Sequence, residues 1–397
     1  MTQMLIQSKP DLLADLDRET IEQGHVQTEE MLVNMGPQHP ATHGVLRVVL
    51  RTDGEMVLEA VPHIGYLHRC AEKIGENLPP YQFIPYTDRM DYLAGMNNNM
   101  AYALAIEKLV GMEVPKRALY IRVVFAEMNR IASHLVSMGA YGMDMGAFTP
   151  FLYAFRERER ILDMFEAACG ARLTYSYITI SGVTDDIPEK FLDVLSEYLD
   201  YFEPKIQEYN DLLSYNQIFI KRTANVGVIS PRNAVAWGLT GPVLRGSGVK
   251  WDLRKVQPHV GAYDEFEFDV PVGDGRMGAL GDCWDRYIVR IHEMYQSVRI
   301  LRQAIAKLAG TPGEVNLKKG KTVKLPKDEV YLELECPRGQ LGFYVVGDGS
   351  QIPYRVKARA ACFCNLSVLT HIARNCLLAD VPAIIGSIDI VMGEVDR

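Results

Sequence analysis

Apolar residues recur every three or four positions from Asp282 to Leu308: Trp284, Ile288, Ile291, Tyr295, Val298, Leu301 and Ile305. That spacing draws one apolar stripe along a single long helix, and such a stripe must be buried against another element. Two more segments carry the same demand. Pro115 can start a helix over Lys116–Met138, and Pro188 suits the first turn of a helix whose apolar pairs are Phe191/Leu192, Val194/Leu195, Tyr198/Leu199 and Tyr201/Phe202. Pro204 is expected to kink that helix. Long striped helices in one chain predict a bundle of antiparallel neighbours.

The flanks read differently. Over Met31–Glu59, Leu46, Val48 and Leu50 alternate with Val45, Arg47, Val49 and Arg51, and Asp53-Gly54 marks a hairpin turn. Glu329–Glu335 and Gly342–Val346 read as strands, and Cys364–Leu377 as a helix. The predicted class is α+β: an acidic arm over 1–30, a β-rich part over 31–90, a helix bundle over 91–310 and a C-terminal α+β part over 311–397. The arm holds Asp11, Asp15, Asp17, Glu19, Glu22, Glu29 and Glu30 against Lys9 and Arg18, which suits a partner-docking segment.

A formal net charge of -8 argues against a duplex nucleic-acid partner. No window reaches the ~18 consecutive apolar residues of a membrane span, so the chain is expected to sit against a membrane partner rather than in the bilayer. Met1–Pro10 has no basic region leading into an apolar run, which predicts no signal peptide, and the missing Arg-rich transit peptide favours a bacterial protein. The seven cysteines are scattered, with no C-x-x-C, so neither a disulfide framework nor an iron–sulfur site of the chain's own is expected. Cys362 and Cys364 form a C-x-C without a second ligand pair and read as core thiols.

Gly273-Asp-Gly-Arg-Met-Gly278 matches G-x-G-x-x-G after the strand-like run Phe266–Val272. A dinucleotide fold needs a second strand with an acid at its end, whereas Glu293 lies inside the amphipathic helix. The match reads as a Gly-rich turn into a helix. Glu127, Arg130 and His134 fall on one helix face and read as a buried ion pair. Arg156–Arg160 reads as a solvated charged face.

Three segments carry more. In Met35-Gly-Pro-Gln-His-Pro-Ala-Thr-His-Gly44, glycine and proline flank His39 and His43. Alone, this suits a rigid loop presenting imidazoles, either as a metal pair or as hydrogen-bonded histidines. Followed by Pro62-His-Ile-Gly-Tyr-Leu-His-Arg69, it resembles the quinone-site subunit of bacterial complex I, the proton-pumping NADH:quinone oxidoreductase. The second segment is Tyr86-Thr-Asp-Arg-Met-Asp-Tyr-Leu-Ala-Gly95, continuing to Ala101-Tyr-Ala-Leu-Ala-Ile-Glu107; the third is Ser387-Ile-Asp-Ile-Val-Met-Gly-Glu-Val-Asp-Arg397. Both are similar to segments of [NiFe]-hydrogenase large subunits. Arg89 and Asp389 match, but the four thiolate positions hold Asp91, Ala94, Val391 and Glu394. Two carboxylates cannot replace four soft thiolates around nickel and iron.

The resemblance runs from about Met31 to Arg397. It implies a hydrogenase-like scaffold without nickel, whose pocket binds a quinone headgroup beside a terminal [4Fe–4S] cluster held by a partner subunit. It assigns the headgroup to His43 and Tyr92, makes Asp144 the carboxylate partner of His43, and puts Arg89 and Thr174 near the partner's cluster. Implied partners are the cluster-bearing subunit, an adjacent peripheral-arm subunit and a membrane subunit. The implied location is the cytoplasmic face of the bacterial plasma membrane, without a span of the chain's own. Rival readings are the same role in a ferredoxin-driven complex, or a non-catalytic assembly scaffold; His43, Tyr92 and Asp144 argue against the latter. Three positions depart from the usual pattern: Ile390 where proline is common, Gln340 where glutamate is, and Thr174 where histidine is.

Overall fold

The computed structural model describes residues 30–317 and 323–397; the acidic arm, save Glu30, lies outside the described residues. Strands β1 (Glu30–Met35), β2 (Arg47–Asp53) and β3 (Met56–His63) pair antiparallel, Glu30 opposite Asp53 and Arg47 opposite His63. The alternation works as expected: Leu46, Val48 and Leu50 are buried, while Arg47 and Arg51 point outward to Asn34 and Glu30. At the loop between β1 and β2, a β-carbon on Gly36 would lie 2.0 Å from the Leu46 carbonyl oxygen. Only glycine lets the chain pass there.

The bundle comprises α1 (Gly95–Val110), α2 (Lys116–Asp144), α3 (Phe148–Cys169), α4 (Phe191–Tyr209) and α5 (Cys283–Ala309). Helix α2 is central and packs against α1, α3 and α5. Its 29 residues span about 43 Å at the α-helical rise. Pro115 precedes its first turn, and the Asp282 side chain caps α5 by accepting from the Asp285 N–H at 2.9 Å. Helix α3 ends at Gly170, in the left-handed region.

Buried charge is dense along α2, and it is paired. Arg122 reaches both carboxylate oxygens of Glu107 at 2.9 and 2.6 Å. Glu127 meets Arg130 and Arg254, and His134 meets Glu293 of α5 at 2.9 Å. Unpaired, each such charge would cost several kcal/mol.

Strands β4 (Ile178–Thr179) and β5 (Gly182–Val183) form a small antiparallel pair between α3 and α4. The C-terminal sheet has β6 (Glu329–Cys336), β7 (Gly339–Val346) and β8 (Arg355–Arg359) in sequential antiparallel order. Cys336 pairs with Gly339, so Pro337 and Arg338 alone make the turn, and that turn carries Arg338 into the bundle. Helix α6 (Val381–Ile388) then packs on α2 and α5.

The fold departs from the sequence expectations in four places. Helix α2 runs six residues beyond Met138, to Asp144, and its added turns pack through Gly139 and Gly142 against Phe151 and Leu213. The segment 364–377 is not one helix. Two short helices end before Asn375, which is left-handed, and β9 (Cys376–Leu377) pairs with β3. Phe266–Val272 forms no strand; its phenylalanines are buried by side-chain packing instead. In the charged run, Glu157 is fully buried against Arg156, and the Arg160 guanidinium stacks 3.7 Å from the centre of the Tyr201 ring, so only part of it is a solvated face.

Candidate active site

A short 3-10 turn over Pro40–Thr42 ends on His43, whose backbone is left-handed at φ 50. A non-glycine residue there is uncommon, and it points the imidazole back toward the bundle. The His43 Nε2 lies 2.8 Å from Asp144 Oδ2 at the end of α2. Both side chains are nearly buried, 14% and 7% exposed, so water competes weakly for the pair.

The pair forms one wall of a cavity of about 240 Å³. Tyr92 forms another, together with Ser137, Arg338, Asp389 and Val391. Burial raises the Tyr92 phenol above its ordinary value while Arg338 pulls the other way; the net rise keeps the hydroxyl protonated and able to donate. Arg338 is fully buried. Its Nη1 donates to Asp91 Oδ2 at 2.9 Å and to Ser133 Oγ at 2.8 Å, and its Nη2 lies 3.4 Å from Asp389 Oδ1. Burial pushes the Asp91 carboxyl up, against the pull of Arg338.

A larger depression, about 400 Å³ between α3 and α4, is walled chiefly by Met164, Pro188, Phe191 and Val194. It brings no hydrogen-bonded acid–base pair to its wall. The 240 Å³ cavity does, and so it is the better candidate for chemistry.

Known proteins agree on where this chain belongs. The family described as "Respiratory-chain NADH dehydrogenase, 49 Kd subunit" matches residues 144–324 and 316–397. The D subunit of NADH-quinone oxidoreductase from Chlorobium luteolum is 52% identical over 372 residues, 93% of this chain and 94% of that protein. The protein of the same name from Chlorobaculum tepidum is 50% identical over 388 residues, 96% of each chain. The D 2 subunit of NADH-quinone oxidoreductase from Sorangium cellulosum is 50% identical over 386 residues, 97% of this chain and 99% of that one. The chain belongs to the 49 kDa subunit family of respiratory-chain NADH dehydrogenase.

Within this family the chain is thus part of an oxidoreductase complex, and no helix among the described residues is long and apolar enough to cross a membrane. Of the residues singled out from sequence, His43, Tyr92 and Asp144 share one cavity. Arg89 and Thr174 do not line it. Arg89 follows a short helix (Pro80–Asp88) and donates from Nη1 to the Pro85 carbonyl at 2.6 Å. Thr174 is half-buried in the loop after α3 with φ 54, a left-handed conformation that a β-branched residue seldom adopts. The two segments are tied together: Asp88 Oδ2 accepts from the Ser176 N–H at 2.9 Å and from its hydroxyl at 2.8 Å.

Asp91, Ala94, Val391 and Glu394, the four positions that the resemblance sets against hydrogenase thiolates, are all buried. Asp91 binds Arg338, and Glu394 accepts from the N–H groups of Ala361 and Cys362 at 2.9 and 3.2 Å. The Val391 N–H donates to Cys362 Sγ at 3.3 Å. Among the described residues, no group of three or more His, Cys, Asp or Glu side chains is placed to hold a metal ion. Sequence patterns assign no role to Arg338, the central cation of the cavity wall; its one signal is the Pro337-Arg-Gly339 segment. Asp389 is only a pattern match in the sequence, yet it lines the cavity in a left-handed conformation, and its Oδ2 has no hydrogen-bond partner.

Proposed function

We propose that this chain forms the quinone headgroup site of a proton-translocating NADH:quinone oxidoreductase. The observation that supports this best is the shared cavity of His43 and Tyr92, with His43 bonded to Asp144 at 2.8 Å. Quinone reduction takes up two electrons and two protons, so each ring carbonyl needs a donor able to release a proton to a developing anion. An imidazole carries both a donor and an acceptor nitrogen, so His43 can hand a proton to the ring and take one back. Tyr92 donates a hydrogen bond and yields its proton only when the ring carries charge. Asp144 fixes the orientation of the imidazole through that 2.8 Å contact. Movement of this trio after electron transfer is the proposed link to proton pumping.

Electrons arrive from a [4Fe–4S] cluster on a partner subunit, near Arg89 and Thr174. The other neighbours are an adjacent peripheral-arm subunit and a membrane subunit, and the chain sits peripherally on the cytoplasmic face of the bacterial plasma membrane. The scaffold is that of the [NiFe]-hydrogenase large subunits, with no nickel. Elemental analysis of the isolated chain should find no stoichiometric nickel.

The test is NADH-driven quinone reduction in assembled complex carrying His43→Ala or Tyr92→Phe. Losing one hydrogen bond to a carbonyl should cost about 0.5–1.5 kcal/mol, more in the transition state. Reduction of an artificial acceptor upstream should survive. Unchanged quinone reduction in both variants would refute the site.

A further inference from the structure

We propose that Arg338 is a positioning residue for quinone reduction: through Asp91 it fixes the stretch of backbone that carries the Tyr92 hydroxyl. This rests on the reading of Tyr92 as a donor to the quinone ring.

Tyr92 is half-buried and lines the cavity. Its hydroxyl makes no hydrogen bond to any group among the described residues. A donor that must meet a ring oxygen, with no bond of its own to hold it, is placed by its backbone and by whatever anchors that backbone. Placement matters, because a shift of about 1 Å can cost roughly a hundredfold in rate.

The anchor is on the page of the chain itself. Asp91 stands immediately before Tyr92, and Leu93 immediately after it. Asp91 is buried, and both of its carboxylate oxygens are engaged. Oδ1 accepts from the Leu93 N–H at 3.2 Å, so the side chain closes a short turn around Tyr92. Oδ2 accepts from Arg338 Nη1 at 2.9 Å. On the other side of the turn, the Leu93 carbonyl accepts from Asn129 Nδ2 of α2 at 3.0 Å. Tyr92 thus projects from a turn pinned at both flanks, and Arg338 is the pin at Asp91.

Arg338 can serve as a pin because it is itself held on several sides. Nη1 also donates to Ser133 Oγ of α2 at 2.8 Å. Nε donates to the Asp389 backbone carbonyl at 3.1 Å, and Nη2 lies 3.4 Å from Asp389 Oδ1. The turn that delivers Arg338 is fixed as well: the Arg338 carbonyl accepts from Asn365 Nδ2 at 3.1 Å, and a β-carbon on Gly339 would stand 2.5 Å from Thr240 Oγ1. One rigid planar fork therefore sets the spacing between the Tyr92 turn and the Asp389–Val391 segment, and both segments line the cavity. Arg338 is fully buried, so it acts on the ring through Tyr92 rather than by contact.

The experiment is a double-mutant cycle in assembled complex. Arg338→Lys and Asp91→Asn are each made alone and together with Tyr92→Phe, and kcat and KM are measured for NADH-driven reduction of a short-chain quinone. Upstream acceptor reduction is the control. Lysine keeps the charge but cannot span all the acceptors of the fork, and asparagine keeps the shape but has one oxygen where the turn uses two. Each single variant should lose roughly tenfold in kcat/KM, chiefly in kcat, because a misplaced donor is missed most in the transition state. With Tyr92→Phe there is no hydroxyl to place, so either change should then add less than about twofold. The same loss in both backgrounds would show a merely structural role and overturn the proposal. If Arg338→Lys fails to assemble, the Asp91→Asn cycle decides. Native rates in Arg338→Lys and Asp91→Asn, with Tyr92→Phe impaired, would also overturn the positioning role and leave the site standing. A native rate in Tyr92→Phe would remove the donor and its anchor together.

Discussion

His43 and Asp144 stand 101 positions apart in the chain and 2.8 Å apart in space. One sits on a loop that only a left-handed backbone can complete; the other closes the longest helix. The orientation of the imidazole therefore depends on how far α2 extends. Asp144→Asn keeps the shape and removes the charge. A hydrogen bond to a charged group is worth about 1.5–3 kcal/mol, so quinone reduction should fall roughly ten- to a hundredfold. Assembled complex, with upstream acceptor reduction as the internal control, gives the measurement. A native rate would show that the pair does not act in turnover.

Arg338 holds two carboxylates and a hydroxyl from one turn residue. Removing it leaves Asp91 and Asp389 buried without their common cation, which should cost about 3–5 kcal/mol. Arg338→Ala is expected to lower the thermal midpoint of the complex and reduce the amount assembled. Arg338→Lys should recover only part, because an ammonium cannot reproduce a planar fork. Equal stability of the lysine variant and the native protein would contradict this.

Asp282 makes stability fall with pH. Its folded value is raised to about 6 from an ordinary 3.8. The folded state therefore binds the proton more tightly, and stability is fully present below the ordinary value and lost as pH rises to the folded one. The loss amounts to about 2–3 kcal/mol, at roughly 1.4 kcal/mol per pKa unit. Whatever constant offset Asp282→Asn introduces, its stability relative to native should climb between pH ~4 and ~6 and then level off. Thermal midpoints of both complexes over that range test it; a flat difference would reject the assignment.

The resemblance leads one to expect histidine at position 174, which the proposed function places near the partner's cluster; this chain has Thr174 there. A histidine beside the partner's cluster would take up a proton when the cluster gains an electron. Threonine does not titrate in this range. The adjacent Tyr175 is driven higher still by burial, so it cannot substitute. The expected result is a terminal-cluster potential that is lower and nearly flat with pH around neutrality. Redox titration by electron paramagnetic resonance at several pH values measures it. A slope near one proton per electron would defeat the prediction, and Thr174→His should introduce such a slope. Histidine is also tolerated better than a β-branched residue at the left-handed φ of 54 found there.

Side-chain spacing by itself determined the long helices, the N-terminal hairpin and the pair of C-terminal strands, because period and turn chemistry are properties of neighbouring residues. His43, Tyr92 and Asp144 were singled out by the family resemblance rather than by spacing, and they meet at one cavity. The tertiary structure decided what lies between them. It set the last six residues of α2, which carry Asp144 to His43, and the turn after β6, which delivers Arg338 to Asp91. It also joined His134 to Glu293. Each of these joins groups far apart in sequence, and their energies depend on burial. A buried carboxylate or hydroxyl is costly alone and stable when paired, and local spacing carries no record of which partner packing will bring.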